Sequence, residues 1–181
     1  MPDEPESEAD VAALVEAINA GTDDVVVPAE MLDELESPAA APPRSLYAQI
    51  LGMSIGQKIK LALRGNGDAR TILLRDGSKL VRRFVLMNPR INDTEIVAIT
   101  RNKTVDEDLL RMISEKREWM RLYQVRVGLA TNPKTSLPIA IRLVGTLDER
   151  DVRQISKSKN VQQGVAAQAR RLLFQKQQKT S

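Results

Sequence analysis

The chain repeats itself at short range, and this self-similarity restricts its fold more than any other property. With helix ends aligned on asparagine, Ile99 to Asn102 followed by Val105, Asp106, Leu109, Leu110 and Ile113 matches Leu129 to Asn132 followed by Thr135, Ser136, Ile139, Ala140 and Leu143, an offset of 30. Val85 to Asn88, followed by Ile91, Asn92, Ile96 and Ile99, matches the first segment at an offset of 14. Ile96, Ile99, Thr100, Arg101, Lys103 and Val105 match Val152, Ile155, Ser156, Lys157, Lys159 and Val161 at an offset of 56. One helix with its turn therefore takes about 14 residues and two make a unit of about 28–30, a period that belongs to helical solenoids. Helices of this length do not stand alone, so stacking of neighbouring units has to supply the core.

The turns explain how the repeat is punctuated. An apolar residue three positions before Asn anchors the end of one helix, and Asn is expected there in a left-handed cap conformation. Pro89 and Pro133 forbid continuation, and Asn92 or Asp93, Asp106 and Ser136 supply the next N-caps. Helical spacing predicts further segments near 93–101, 106–115, 118–131, 137–145, 149–158 and 162–176. Ser54 with Gln57 predicts a capping box for the helix carrying Ile55, Ile59 and Leu63. No interval alternates with period two for long enough to make a strand; Val25 to Val27 come nearest. The expected fold is all-α, a short-helix α-solenoid.

The turn Leu129-Ala-Thr-Asn132-Pro133-Lys-Thr-Ser136, with an apolar helix on each side, resembles the bacterial leucine-rich-repeat variant and, more broadly, HEAT-like α-helical repeats. The similarity covers roughly residues 56–175. It implies a right-handed superhelix of stacked short helices, acting as a binding scaffold in most of the wider group and on nucleic acid in a minority. The iron–sulfur cluster of some members cannot transfer to a chain without Cys.

Charge divides the chain at the Pro-rich stretch before Arg44, where the repeat domain begins. Residues 1–43 hold twelve acidic side chains and no Lys or Arg, whereas residues 44–181 hold twelve acids and all 27 bases. The net charge of +3 is thus the sum of −12 and +15. Residues 1–43 read as an acidic, largely disordered arm with two short helical possibilities, one capped by Ser7 with Asp10 and one running from Pro28 through Met31, Leu32 and Leu35. A Pro-rich linker, 38–43, closes the arm, and 44–181 form the repeat domain. Tethered at an effective concentration of order millimolar, the arm could fold over the basic body or offer its amphipathic helices to another protein.

The same composition shortens the list of possible chemistries. Absence of Cys and His removes thiolate and imidazole metal sites, disulfides and the Ser-His-Asp arrangement. Gly65-Asn66-Gly67-Asp68 lacks the Gly-Lys-Ser/Thr of a phosphate loop and reads as a helix end. Ser156 and Lys159 spell Ser-x-x-Lys without its companion motifs, and Asp106-Glu107-Asp108 suits a helix start. No catalytic residue, cofactor or metal is expected, no segment has the length of a membrane span, and a cytoplasmic location follows as the expectation.

Binding residues are more readily nominated. Trp119 and Tyr123, four apart on a helix, form the first candidate for an exposed aromatic anchor, set among Arg117, Arg121 and Arg126; the alternative is that they fill a gap where the repeat slips between Ser114 and Leu122. Arg82 and Arg83, with Lys79, open another basic helix, and Arg150, Arg153, Lys157, Lys159, Arg170 and Arg171 populate the last two. Aromatic interleaving of the kind that stacks bases is nearly missing. The expected function is a non-enzymatic scaffold or adaptor that binds a protein partner through its repeat surface, modulated by the acidic arm. The alternative is a nucleic-acid binder masked by that arm.

Overall fold

Short apolar runs, each closed by its own cap, become twelve α-helices and no strand among the described residues; the structure, a computed structural model, describes residues 7–33 and 44–180. The chain divides into two compact units, Met1–Ile91 and Asn92–Ser181.

In the first unit, α1 (Glu8–Ala20) starts at a capping box in which the Ser7 hydroxyl accepts from the Asp10 N–H and the Asp10 carboxylate accepts from Ser7 N–H. It ends on Gly21, whose φ of 70° is the only positive value among the described residues, so glycine is needed there. After a single 3-10 turn, Ala29–Met31, come α2 (Arg44–Leu51), α3 (Ile55–Arg64), α4 (Gly67–Leu73) and α5 (Lys79–Val85). Ser54 and Gln57 form the expected capping box on α3. This helix is the centre of the unit: it packs on α1, α4 and α5 and buries Ile59, Leu61, Ala62 and Leu63. Val25 to Val27 run without a strand partner.

The expectation of a largely disordered arm ending at residue 43 is corrected for residues 7–33. Ile18, at 2% exposure, Val25 and Met31 are buried, and Ile18 and Met31 belong to the same core as Ile59 and Leu63. A stripe of α3 side chains at i, i+3 and i+7 holds this segment down. Gln57 Nε2 donates to the Val26 carbonyl (2.8 Å), Lys60 Nζ to the Val25 carbonyl and to Asp23 (2.7 Å each), and Arg64 to the Ile18 and Asn19 carbonyls (3.2 and 2.8 Å). Arg64 thereby satisfies acceptors that the C-terminus of α1 leaves open. Among the described residues the two charge blocks meet through Lys60, Arg64 and Arg90 on backbone carbonyls and through the Lys60–Asp23 ion pair. The two contact units divide after Ile91. The helix expected from Pro28 shortens to the 3-10 turn, and Leu35 lies outside the described residues, as does the 38–43 linker.

The second unit contains α6 (Asp93–Arg101), α7 (Glu107–Glu115), α8 (Arg117–Met120), α9 (Tyr123–Thr131), α10 (Leu137–Val144), α11 (Glu149–Lys157) and α12 (Gln163–Thr180). α6 packs on α9, α9 on α10, α10 on α12, and α12 on α11. The helix expected over 118–131 is two helices, because the one-turn α8 is inserted between α7 and α9; this insertion is the slip in the repeat. Gly128 sits where α9 crosses α6 so closely that a β-carbon would lie 2.2 Å from Thr100 Oγ1.

The repeat asparagines do not act as left-handed caps. Asn102 and Asn132 have φ of −75° and −77° with extended ψ. Asn102 Oδ1 accepts from Thr104 within its own turn, whereas the Asn132 side chain ties its turn to one about thirty residues earlier. Asn132 Nδ2 donates to the carbonyls of Thr100 and Asn102 (2.8 and 3.0 Å) while its Oδ1 accepts from Lys134 N–H. Gln162 does the same to Pro133 and Thr135 (3.0 and 2.6 Å). In the first unit Asn88 donates to Ala62 and Gly65, and Asn66 to Glu30 and Asp33. A carboxamide has two donors and one acceptor oxygen, so a single buried residue closes its own turn and bridges two carbonyls at once. Each bridge contributes about 1 kcal/mol net, and stranding its carbonyls costs more. Asn66 also N-caps α4 through Ala69 N–H, which makes Gly65-Asn66-Gly67-Asp68 a helix-to-helix junction with Gly65 as the α3 C-cap.

Candidate nucleic-acid interface

The residues nominated as an aromatic anchor are built into the fold. Trp119 on α8 is 6% exposed, with the Lys116 ammonium 4.6 Å from its ring centroid. An exposed Trp119 anchor is therefore corrected: the ring fills the space beside the inserted turn. The half-buried Tyr123 donates its hydroxyl proton to Asp151 of α11 and accepts from Asp148 N–H at 3.1 Å, fastening α9 to the start of α11. Burial of the phenol, with its hydrogen bond to Asp151, pushes the Tyr123 pKa above its ordinary value. Arg126 stacks over the Tyr123 ring at 5.4 Å and donates to the Thr146 carbonyl (3.1 Å). Arg117 and Arg121 remain exposed on and after α8. In the first unit Arg82 is half-buried and donates to the Asp76 carbonyl, while Arg83 is exposed. The seven nominated residues thus divide between the two units.

A different set converges on α11. Arg150, Arg153 and Lys157 stand at i, i+3 and i+7, so helical geometry puts them on one face, and all three are exposed. With Gln154 they line an open hollow of about 490 Å³. Arg153 shares its charge with Glu149 at 2.7 Å, while Arg150 and Lys157 make no ion pair with a described residue. Valine and isoleucine on the opposite face, Val152 and Ile155, are buried and hold the helix in place. Residues 152–181 carry seven Lys or Arg and no Asp or Glu. Arg170 of α12 is used internally, donating to the Ser156 carbonyl at 3.0 Å.

The remaining motifs resolve into structural parts. Ser156 is buried and donates to the Arg153 carbonyl, away from any role with the exposed Lys159. Asp106 to Asp108 occupy the N-cap and first turn of α7, and Asp108 faces Arg111 at 3.9 Å. Among the described residues no group of three or more Asp or Glu is placed to hold a metal ion, and no helix is long and apolar enough to cross a membrane. The bases of α11 were visible in the sequence, but not their separation from the other basic helices. The spacing 150, 153, 157 and the acid-free run after Asp151 were the signals that distinguish them. No family model, curated protein or solved structure matches the chain.

Proposed function

We propose that the protein is a non-enzymatic helical-repeat binding module, a short-helix solenoid in its repeat architecture, that takes the phosphate backbone of a nucleic acid on the basic face of α11. The observation that carries this reading is the row of exposed Arg150, Arg153 and Lys157 around an open hollow, in a sequence without Asp or Glu over 152–181. Guanidinium and ammonium groups on a polar face suit phosphate, which they bind by charge and hydrogen bonding with release of counterions. A protein partner ordinarily needs a desolvated aromatic or aliphatic anchor at the centre of its contact, and the side chains nominated for that role, Trp119 and Tyr123, are occupied by the fold. The amide bridges support the solenoid reading, since within each unit they tie a turn to one 23 to 36 residues earlier.

The test is the affinity of the full chain for a generic duplex across a salt series, with and without R150Q/R153Q/K157Q. These side chains are exposed, so the variant should retain its helical circular dichroism. Log K should fall linearly with log salt, and the variant should flatten that slope by up to about three units, roughly 0.9 per lost phosphate contact. An unchanged slope, or no binding by the parent at low salt, overturns the reading.

A further inference from the structure

Next to the basic face lies a second hollow with a different lining. It holds about 290 Å³ and is walled by Val127 and Thr131 of α9, Asp151, Gln154 and Ile155 of α11, and the turn residues Lys103, Ser158, Asn160 and Val161. That volume is near the lower end for small-ligand pockets. Val127, Ile155 and Val161 supply apolar walls. Several of the polar groups are already committed: Thr131 Oγ1 donates to the Val127 and Gly128 carbonyls, Asp151 accepts from Tyr123, and Ser158 Oγ accepts from Asn160 N–H at 3.1 Å.

Two carboxamides are not committed. The side chains of Gln154 and Asn160 make no hydrogen bond to a described residue, and Lys103 makes no ion pair with one. A carboxamide presents a donor and an acceptor side by side, the arrangement that pairs with the edge of a nucleobase. Gln154 also lines the basic hollow, so the amide-lined and basic hollows adjoin at one side chain. Base-sized space, apolar walls, free amides and an adjoining row of bases are what an unpaired nucleotide requires, whereas a duplex keeps its bases paired and stacked.

We propose that this hollow receives one unpaired base of a single strand whose neighbouring phosphates lie on Arg150, Arg153 and Lys157, so that the protein prefers single-stranded to duplex nucleic acid. This rests on the nucleic-acid reading of the α11 face. Aromatic stacking is absent from the hollow, so recognition falls on the amides and on aliphatic contact with the base faces.

The experiment measures fluorescence anisotropy of a labelled mixed-sequence single-stranded oligonucleotide and of its duplex, with the full chain, Q154A/N160A and R150Q/R153Q/K157Q. Both amides are exposed, and thermal melts of each variant check the fold. The single strand should bind about tenfold more tightly than the duplex, and Q154A/N160A should abolish that preference by weakening the single strand about tenfold, as expected for loss of base-edge hydrogen bonds. Equal affinity for the two forms, or a preference that survives Q154A/N160A, overturns the base subsite and leaves the backbone reading standing. Binding of neither form overturns both, and binding of poly-glutamate in their place would assign the α11 face to an acidic protein.

Discussion

Thr135 carries a hydroxyl with no hydrogen-bond partner among the described residues, buried in a residue only 1% exposed. The repeat shows why it is tolerated and what would replace it. At offsets of 30 and 26 the same position is Val105 and Val161, so the site needs a β-branched shape and not a polar atom. Thr135→Val should therefore raise stability by about 1 kcal/mol, because it removes an unsatisfied buried group without opening a cavity. Urea unfolding would read this as a higher midpoint at unchanged m-value; a lower midpoint would mean that the hydroxyl finds a partner. The asparagines teach the complementary lesson. Their recurrence was legible in the sequence, but backbone conformation was the wrong explanation for it, since the carbonyls they bridge lie about thirty residues away.

At the scale of elements, the legible parts are those decided within four residues. Ser7 with Asp10 and Ser54 with Gln57 announce their helices because a capping box is complete in local sequence. The break of 118–131 into α8 and α9 was not legible, since Trp119 and Tyr123 keep helical spacing across it and only tertiary packing buries the ring. The α11 hollow was out of reach for a similar reason, being assembled from residues as distant as Lys103 and Asn160.

The tie between α9 and α11 carries a pH signature. A raised Tyr123 pKa means that the unfolded phenol loses its proton first as pH climbs past about 10. Its contribution to stability is thus complete below pH 10 and is lost as pH rises above that value. Tyr123→Phe should flatten the fall in stability between about pH 9 and 11 relative to the parent, measured by denaturant midpoints. It should also lower stability at neutral pH by about 1–2 kcal/mol through the unpaired Asp148 N–H and Asp151. Equal alkaline slopes would show that the phenol titrates alike in both states.

For the whole molecule, the docking of residues 7–33 changes what the charge split means. A segment held by Ile18 and Met31 in the core and by carbonyl contacts to Gln57, Lys60 and Arg64 is not released by screening. Hydrogen exchange at amides 8–20 should be the same at low salt and at about 1 M, where exposed ion pairs beyond a few ångström are screened. Lys60→Met should accelerate that exchange and cost on the order of 2 kcal/mol, since it leaves Asp23 and the Val25 carbonyl short of a donor. Exchange that rises with salt in the parent would restore a mainly electrostatic arm.

The bridging side chains in both units, Asn66, Asn88, Asn132 and Gln162, are all uncharged. These amide bridges consequently have no first-order dependence on ionic strength or on pH near neutrality, whereas a phosphate held by arginine and lysine has a steep one. The amide bridges and the proposed phosphate contacts answer to separate solution variables, so a rise in salt should weaken the second while leaving the first in place.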